Sequence, residues 1–109
     1  MNTHIEKYNL NKDQVAIASE VLKLVSVPTR LKICWTLLHN EHSVNELAKH
    51  IKAQPAAVSQ HLAKLRLAGL VKVNRDGNKM IYAIENKHVY KIIEQALEQA
   101  DYVIKRVAK

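Results

Sequence analysis

The side chains of this chain that could do chemistry are six His, ten Asp and Glu and a single Cys, together with a set of small, hydroxyl and amide residues between Gln54 and Leu70. The His and the acids form no set of nucleophile, base and orienting group at workable spacing. Gly69 and Gly77, the two glycines, cannot build a phosphate-cradling loop. Enzymatic chemistry is therefore disfavoured. Cys34 alone makes neither an internal disulfide nor a Cys-rich zinc site. What remains is recognition chemistry. In the stretch QPAAVSQHLAKLRLAGL, helical steps of about 100° place Val58, Leu62 and Leu65 on one face with His61 at its edge. Ala56, Gln60 and Ala63 point the opposite way, flanked by Ser59 and Lys64. An ordinary solvated face would carry Glu and Lys. Small residues with Gln and Ser instead let the backbone approach another polymer and hydrogen-bond the edges of bases.

The surrounding chain supplies elements that would position this helix. Pro55 suits its first turn and Gly69 its left-handed end. Ahead of it, Ser43 and Glu46 have the spacing of a capping box for a short helix to about Ile51. The connector from Lys52 to Gln54 is too short for comfortable antiparallel packing, so the two helices are expected to cross steeply as a helix-turn-helix over residues 43–68. Upstream, Asn11 or Asp13 can cap a helix over 11–25 with Val15, Ala18, Val21, Leu22 and Val25 as its stripe, and Pro28 ends it. A second helix from Thr29 to His39 is expected to face the core with Leu31, Cys34, Trp35 and Leu38 and to turn Arg30 and Lys32 away. Cys34 and Trp35 read as a core pair, because free Cys packs as a small apolar residue. Downstream, alternating residues over 71–84, with Asp76 and Gly77 at a turn, predict a two-stranded hairpin. A last helix over 87–107 carries an apolar stripe too long for so small a domain to cover. That stripe predicts a homodimer formed through the first and last helices.

Charge and compartment fit this reading. The 109 residues allow one domain, spanning 1–109, and carry a net charge of +7. Residues 52–81 hold +5 of it, from Lys52, Lys64, Arg66, Lys72, Arg75 and Lys79 against Asp76 alone. Basic charge gathered on one part of a small domain is the footprint of a polyanion-binding surface. There is no run of about 18 apolar residues and no signal-peptide pattern, so no membrane partner and a cytoplasmic location are expected.

Taken together, VPTRLKICWTLL (27–38), SVNELAKHI (43–51), AAVSQHLAKLRLAGLV (56–71) and RDGNKMIYAI (75–84) resemble the ArsR/SmtB family of dimeric winged-helix repressors. Within it the chain is most similar to the nickel- and cobalt-sensing branch, through DQV at Asp13, SVNELA, VSQHLAKLR, RDG and ENKHV at Glu85. The resemblance implies a mainly α fold with a small β-hairpin: a winged helix-turn-helix of about five helices plus a two-stranded wing. It also implies a homodimer that represses transcription and leaves its operator when an inducer, commonly a metal ion, binds. On double-stranded operator DNA, Gln54, Ala56, Ser59 and Gln60 lie where base edges are reached, Gln60 being able to pair with adenine. Lys64, Arg66 and the wing residues Arg75 and Lys79 would contact phosphates, which fixes register without reading sequence. His61 reads equally as a packing residue or a DNA contact.

For the inducer, His88 matches a metal-ligand position of the family, and Asp101 an acidic ligand position of the nickel and cobalt branch. The family's other positions hold Asn86, Gln99 and Tyr102, which are absent or poor ligands. The metal set implied is thus His88 and Asp101, with Glu85, Glu98 and His4 as helpers, for Ni, Co or Zn through nitrogen and oxygen donors. The alternative is a winged-helix regulator without a working metal site that answers to redox or a small molecule. His39, His42 and His50 read as surface residues.

Overall fold

The computed structural model describes residues 10–108. Five helices and one hairpin follow in order: α1 (Lys12–Val25), α2 (Pro28–His39), α3 (Val44–Ile51), α4 (Pro55–Leu67), β1 (Val71–Asp76), β2 (Lys79–Ile84) and α5 (Lys87–Val107). This is the winged helix-turn-helix expected from the sequence.

Local signals set most boundaries. Asn11 caps α1 in a reciprocal box, its Oδ1 accepting from the Gln14 amide at 2.8 Å while the Gln14 side chain accepts from the Asn11 amide at 3.1 Å. Ser43 and Glu46 do the same for α3, with Glu46 Oε1 accepting from the Ser43 amide at 2.8 Å. Pro28 and Pro55 sit in the first turns of α2 and α4, where a missing N–H costs nothing. α4 ends in a left-handed Gly69 at φ 78°, with the Gly69 amide bonded to the Arg66 carbonyl and the Leu70 amide to the Leu65 carbonyl. This paired closure satisfies two carbonyls the helix would otherwise leave open. Lys52, at φ 56°, closes α3 without the help of glycine.

The core runs through all the elements. Ile33, Leu47, Leu62, Leu65, Ile93, Val58, Val71 and Cys34 are its fully buried side chains. Two expected stripes are shifted. In α1 the residues that reach the core are Val21, Leu24 and Val25, while Val15, Ala18 and Leu22 are exposed. In α2 the buried residues are Ile33, Cys34 and Leu37; Leu31 and Leu38 only flank the core, and Trp35 is 45% exposed. The expected Cys34–Trp35 core pair is therefore replaced by a buried Cys beside a surface Trp. The cause is that α2 packs against α1, α3, α4, α5 and β2 at once, which turns its centre of burial toward Ile33 and Leu37.

The hairpin turns over the two residues Gly77 and Asn78, one step beyond the Asp76–Gly77 tip read from the sequence, with Asp76 paired to Lys79 and Gly77 at φ 64°. That register puts Val71 opposite Ile84 and Val73 opposite Tyr82, so Tyr82 and Ile84 are the β2 residues that pack against the core. Tyr82 also exchanges two backbone hydrogen bonds with His42, of 2.8 and 3.0 Å, which ties the wing to the segment before α3.

In α5 only Val89 and Ile93 are buried, with Leu97 partly so. Farther along the same helix Val103, Ile104 and Val107 are 47, 66 and 78% exposed. Among the described residues no helix is long and apolar enough to cross a membrane.

The start of α5 is held by Asn86, whose Oδ1 accepts from the amides of His88 at 2.9 Å and Val89 at 3.2 Å. Asn86→Ala should lower the unfolding free energy by about 1 kcal/mol and Asn86→Asp should not, as judged by urea midpoints at pH 7. An Ala variant melting with the parent would remove the cap from the account.

Candidate nucleic-acid interface

Burial of Val58, Leu62 and Leu65 against the core fixes the rotation of α4 and commits its other residues to solvent. Gln54, Ala56, Ser59, Gln60, Lys64 and Arg66 are all exposed, as the helical spacing predicts. Gln54 is the cap residue of α4 but makes no capping bond with its side chain, so its amide group stays available. Gln54, Ala56, Ser59 and Gln60 lie in the first half of the helix. A pair of amides and a hydroxyl among alanines is suited to base edges, and the two cations toward the C-terminal end are suited to phosphates.

The wing brings its own charge. Arg75 and Lys79 are exposed, Arg75 on β1 opposite Met80 and Lys79 at the first position of β2. Lys79 lies near Glu46 on α3, and Glu46 titrates below its ordinary range, held down first by its bond to the Ser43 amide and more weakly by His42 and Lys79.

His61 is placed by a contact that helical spacing did not foresee. It is half-buried, and its Nδ1 accepts a hydrogen bond from Arg30 Nε at 3.1 Å. Arg30 Nη1 also donates to the Leu24 carbonyl at 3.3 Å, in the last turn of α1. Arg30 is thus not turned away into solvent but bridges the end of α1, its own α2 and α4. Nothing local marks this, because the two partners stand 31 residues apart in sequence. Desolvation, followed by the charges of Arg30 and Lys64, pushes the His61 pKa down. At neutral pH the imidazole is neutral and acts as an acceptor. The same ring cannot both accept from Arg30 through Nδ1 and be charged.

The expected metal ligands are not brought together within one protomer. His88 and Asp101 are thirteen positions apart on one helix, about 20 Å along its axis at 1.5 Å per residue, and on opposite flanks. Asp101 pairs with Lys105 at 2.9 Å, Glu98 accepts from Gln95 at 3.0 Å, and Glu85 is exposed. His4 lies outside the described residues. Among the described residues no three His, Cys, Asp or Glu side chains are grouped to hold a metal ion. His88, Asp101, Glu85 and Glu98 therefore do not fit a resident ion in one protomer. Cys34 is buried, and desolvation pushes its thiol up to about 11, so it stays protonated and packs as a core residue. His39, His42 and His50 are grouped more closely than the sequence suggested: the His42 and His50 rings stand 5.1 Å apart, and His39 stacks edge-on against Trp35 at 4.4 Å.

Residues 27–73, which hold both helices of the helix-turn-helix and the first half of β1, match the family model described as bacterial regulatory protein, arsR family. The chain is 42% identical over 93 residues to the HTH-type transcriptional regulator KmtR of Mycobacterium tuberculosis, covering 85% of this chain and 72% of that protein. It is 32% identical over 91 residues to a cadmium resistance transcriptional regulatory protein, a CadC homologue of Staphylococcus aureus, covering 83% and 75%. Among solved structures, HlyU from Vibrio cholerae superposes with a TM-score of 0.76 at 34% identity, covering 82% of this chain and 97% of that one. A curated relative of that name is a transcriptional activator, 38% identical over 79 residues, covering 72% and 73%.

The His61 pKa gives a signed pH dependence. A depressed folded pKa means that the unfolded chain takes up the proton first, so the stabilisation is complete above about 6.5, the ordinary His value, and is lost as pH falls toward the folded value. Melting temperature should fall between pH 7.5 and pH 5, and His61→Gln should fall less steeply over the same range. Parallel curves for the two proteins would rule out His61 as the group responsible.

Proposed function

Because this chain belongs to the arsR family of bacterial regulatory proteins, we propose that it acts in the cytoplasm as a homodimeric transcriptional repressor that reads operator DNA with α4 and the wing. The observation that carries the reading is the composition of the exposed face of α4. Gln54, Ala56, Ser59 and Gln60 stand where base edges are reached, and Lys64, Arg66 and Arg75 stand where phosphates pass. Exposed Val103, Ile104 and Val107 on α5, with Val15 and Leu22 on α1, support the dimer, since a lone protomer would leave this apolar surface to water. Two copies of α4 related by a two-fold would then meet successive major grooves, and the operator would be a near-palindrome.

DNA binding can be measured by fluorescence anisotropy on DNA taken from upstream of the protein's own gene. Lys64→Ala should flatten the salt dependence by about one ion per subunit and leave base preference intact, whereas Gln60→Ala should relax discrimination at one position by about 1–3 kcal/mol. An unchanged salt slope would take Lys64 out of the interface. No preference for any sequence would remove the operator-reading role as a whole. The name of the Vibrio relative makes the sign of regulation a separate question, and a reporter fused to the same DNA decides between repression and activation.

The finer part of the reading is the inducer. A divalent ion such as Ni, Co or Zn is supported by His88, by the resemblance to the nickel and cobalt branch and by the name of the cadmium resistance relative. Because His88 and Asp101 diverge within a protomer, such an ion would need ligands from both copies of α5. Release from DNA by one of these metals, lost in His88→Ala, supports the metal reading. Release by an oxidant or a small molecule, with indifference to every metal, favours the alternative regulator without a metal site.

A further inference from the structure

The two flanks of α5 differ in kind. Stepping about 100° per residue from Val89, the apolar residues Ile92, Ala96 and Val103, of which Ile92 is half-buried and the other two exposed, fall on one side of the buried line, and Tyr90, Glu94, Glu98 and Asp101 fall on the other. The second flank does not carry His88. It faces α2, and the two helices enclose a cleft of about 330 Å³. Leu38 and Leu97 give it apolar surface, Trp35 and Tyr90 give it one aromatic ring from each helix, and Glu94 and Glu98 bring carboxylates.

We propose that this cleft between α2 and α5 binds a small organic cation with a quaternary ammonium headgroup. The volume lies at the small end of the range for ligand sites, about 300–1,000 Å³. Its charge is opposite to that of the molecule: the net charge is +7, yet no Lys or Arg lines the cleft and three carboxylates do. Two of those three are engaged, Asp101 with Lys105 and Glu98 with Gln95. Glu94 is half-buried and, among the described residues, has no hydrogen bond or ion pair. A half-buried carboxylate in a cleft lined by two aromatic rings favours a cation that needs no hydrogen-bond acceptors of its own, because methylated nitrogen is weakly hydrated and attracted to ring faces. A bare divalent ion would instead require three or more converging donors, and the described residues offer no such group. Trp35 is held for this role by its edge-on contact with His39, whose Nδ1 lies 3.0 Å from the Trp35 carbonyl oxygen. Its exposure of 45% is thereby explained as the open wall of a site.

Trp35 is the one tryptophan of the chain, so its fluorescence reports on the cleft directly. The full chain is titrated with choline and, separately, with 3,3-dimethylbutan-1-ol, which has the same shape without the charge. Melting temperature is recorded alongside as a second readout. Choline should give a saturable fluorescence change and raise the melting temperature. The neutral analogue should bind at least about tenfold more weakly, and Glu94→Gln should weaken choline by about tenfold while keeping the melting temperature of the free protein. Equal responses to choline and its neutral analogue would overturn the proposal. So would the absence of a saturable response in both readouts, or a Glu94→Gln variant that folds and binds choline as the parent does. None of these outcomes depends on whether α4 reads DNA.

Discussion

Three side chains that reach no solvent, Val58, Leu62 and Leu65, decide which way α4 faces, and the working surface of the molecule follows from that. Each contributes on the order of 1.5–3 kcal/mol by leaving water, so rotating the helix by even one position would cost more than a small domain can spare. With the inner face committed, Gln54, Ala56, Ser59 and Gln60 have nowhere to point but outward. The paired hydrogen bonds at Gly69 close the C-terminal end of the helix and Pro55 sits in its first turn, so its direction is set as firmly as its rotation. The exposed face is therefore a consequence of core packing rather than a separate construction.

Electrostatics then grades that surface. Lys64, Arg66, Arg75 and Lys79 are exposed and, among the described residues, form no ion pair, and Lys79 lies near Glu46 at the start of α3. His61 has no charge to offer at neutral pH, because it accepts from Arg30 in a partly desolvated setting. That bond has a mechanical meaning as well. Through Arg30, the last turn of α1 and the side of α4 are held to one guanidinium, so the helix that would pair two subunits is connected to the helix that would read DNA.

The two flanks of the last helix differ in kind. One flank is apolar and exposed in the protomer, suited to a second copy of the chain. The other flank carries carboxylates and Tyr90 toward α2. Asp101 belongs to the second flank, where it pairs with Lys105, and this removes it from any common site with His88 inside one subunit. A list of metal ligands drawn from one helix can match a family position by position and still fail to converge, since convergence depends on rotation about the axis and on distance along it.

The sequence by itself determined the elements and their ends, because capping, proline and glycine preferences act over three or four residues: Asn11 with Gln14, Ser43 with Glu46, Pro28, Pro55 and Gly69 all mark what they mark locally. It also determined the outward face of α4, whose inner residues repeat at helical spacing. Only the tertiary structure decided which residues of α1 and α2 are core. The apolar positions there form faces wider than one stripe, and the choice of Leu24, Ile33 and Leu37 depends on how many neighbours surround each helix. It likewise decided the packed face of the wing, set by a turn one residue beyond the apparent Asp76–Gly77 tip. The Arg30–His61 bond and the cleft around Trp35 and Glu94 were not legible at all, because each joins residues from separate helices. Periodicity reports one helix against an unspecified interior; it carries no information about which neighbour that interior contains.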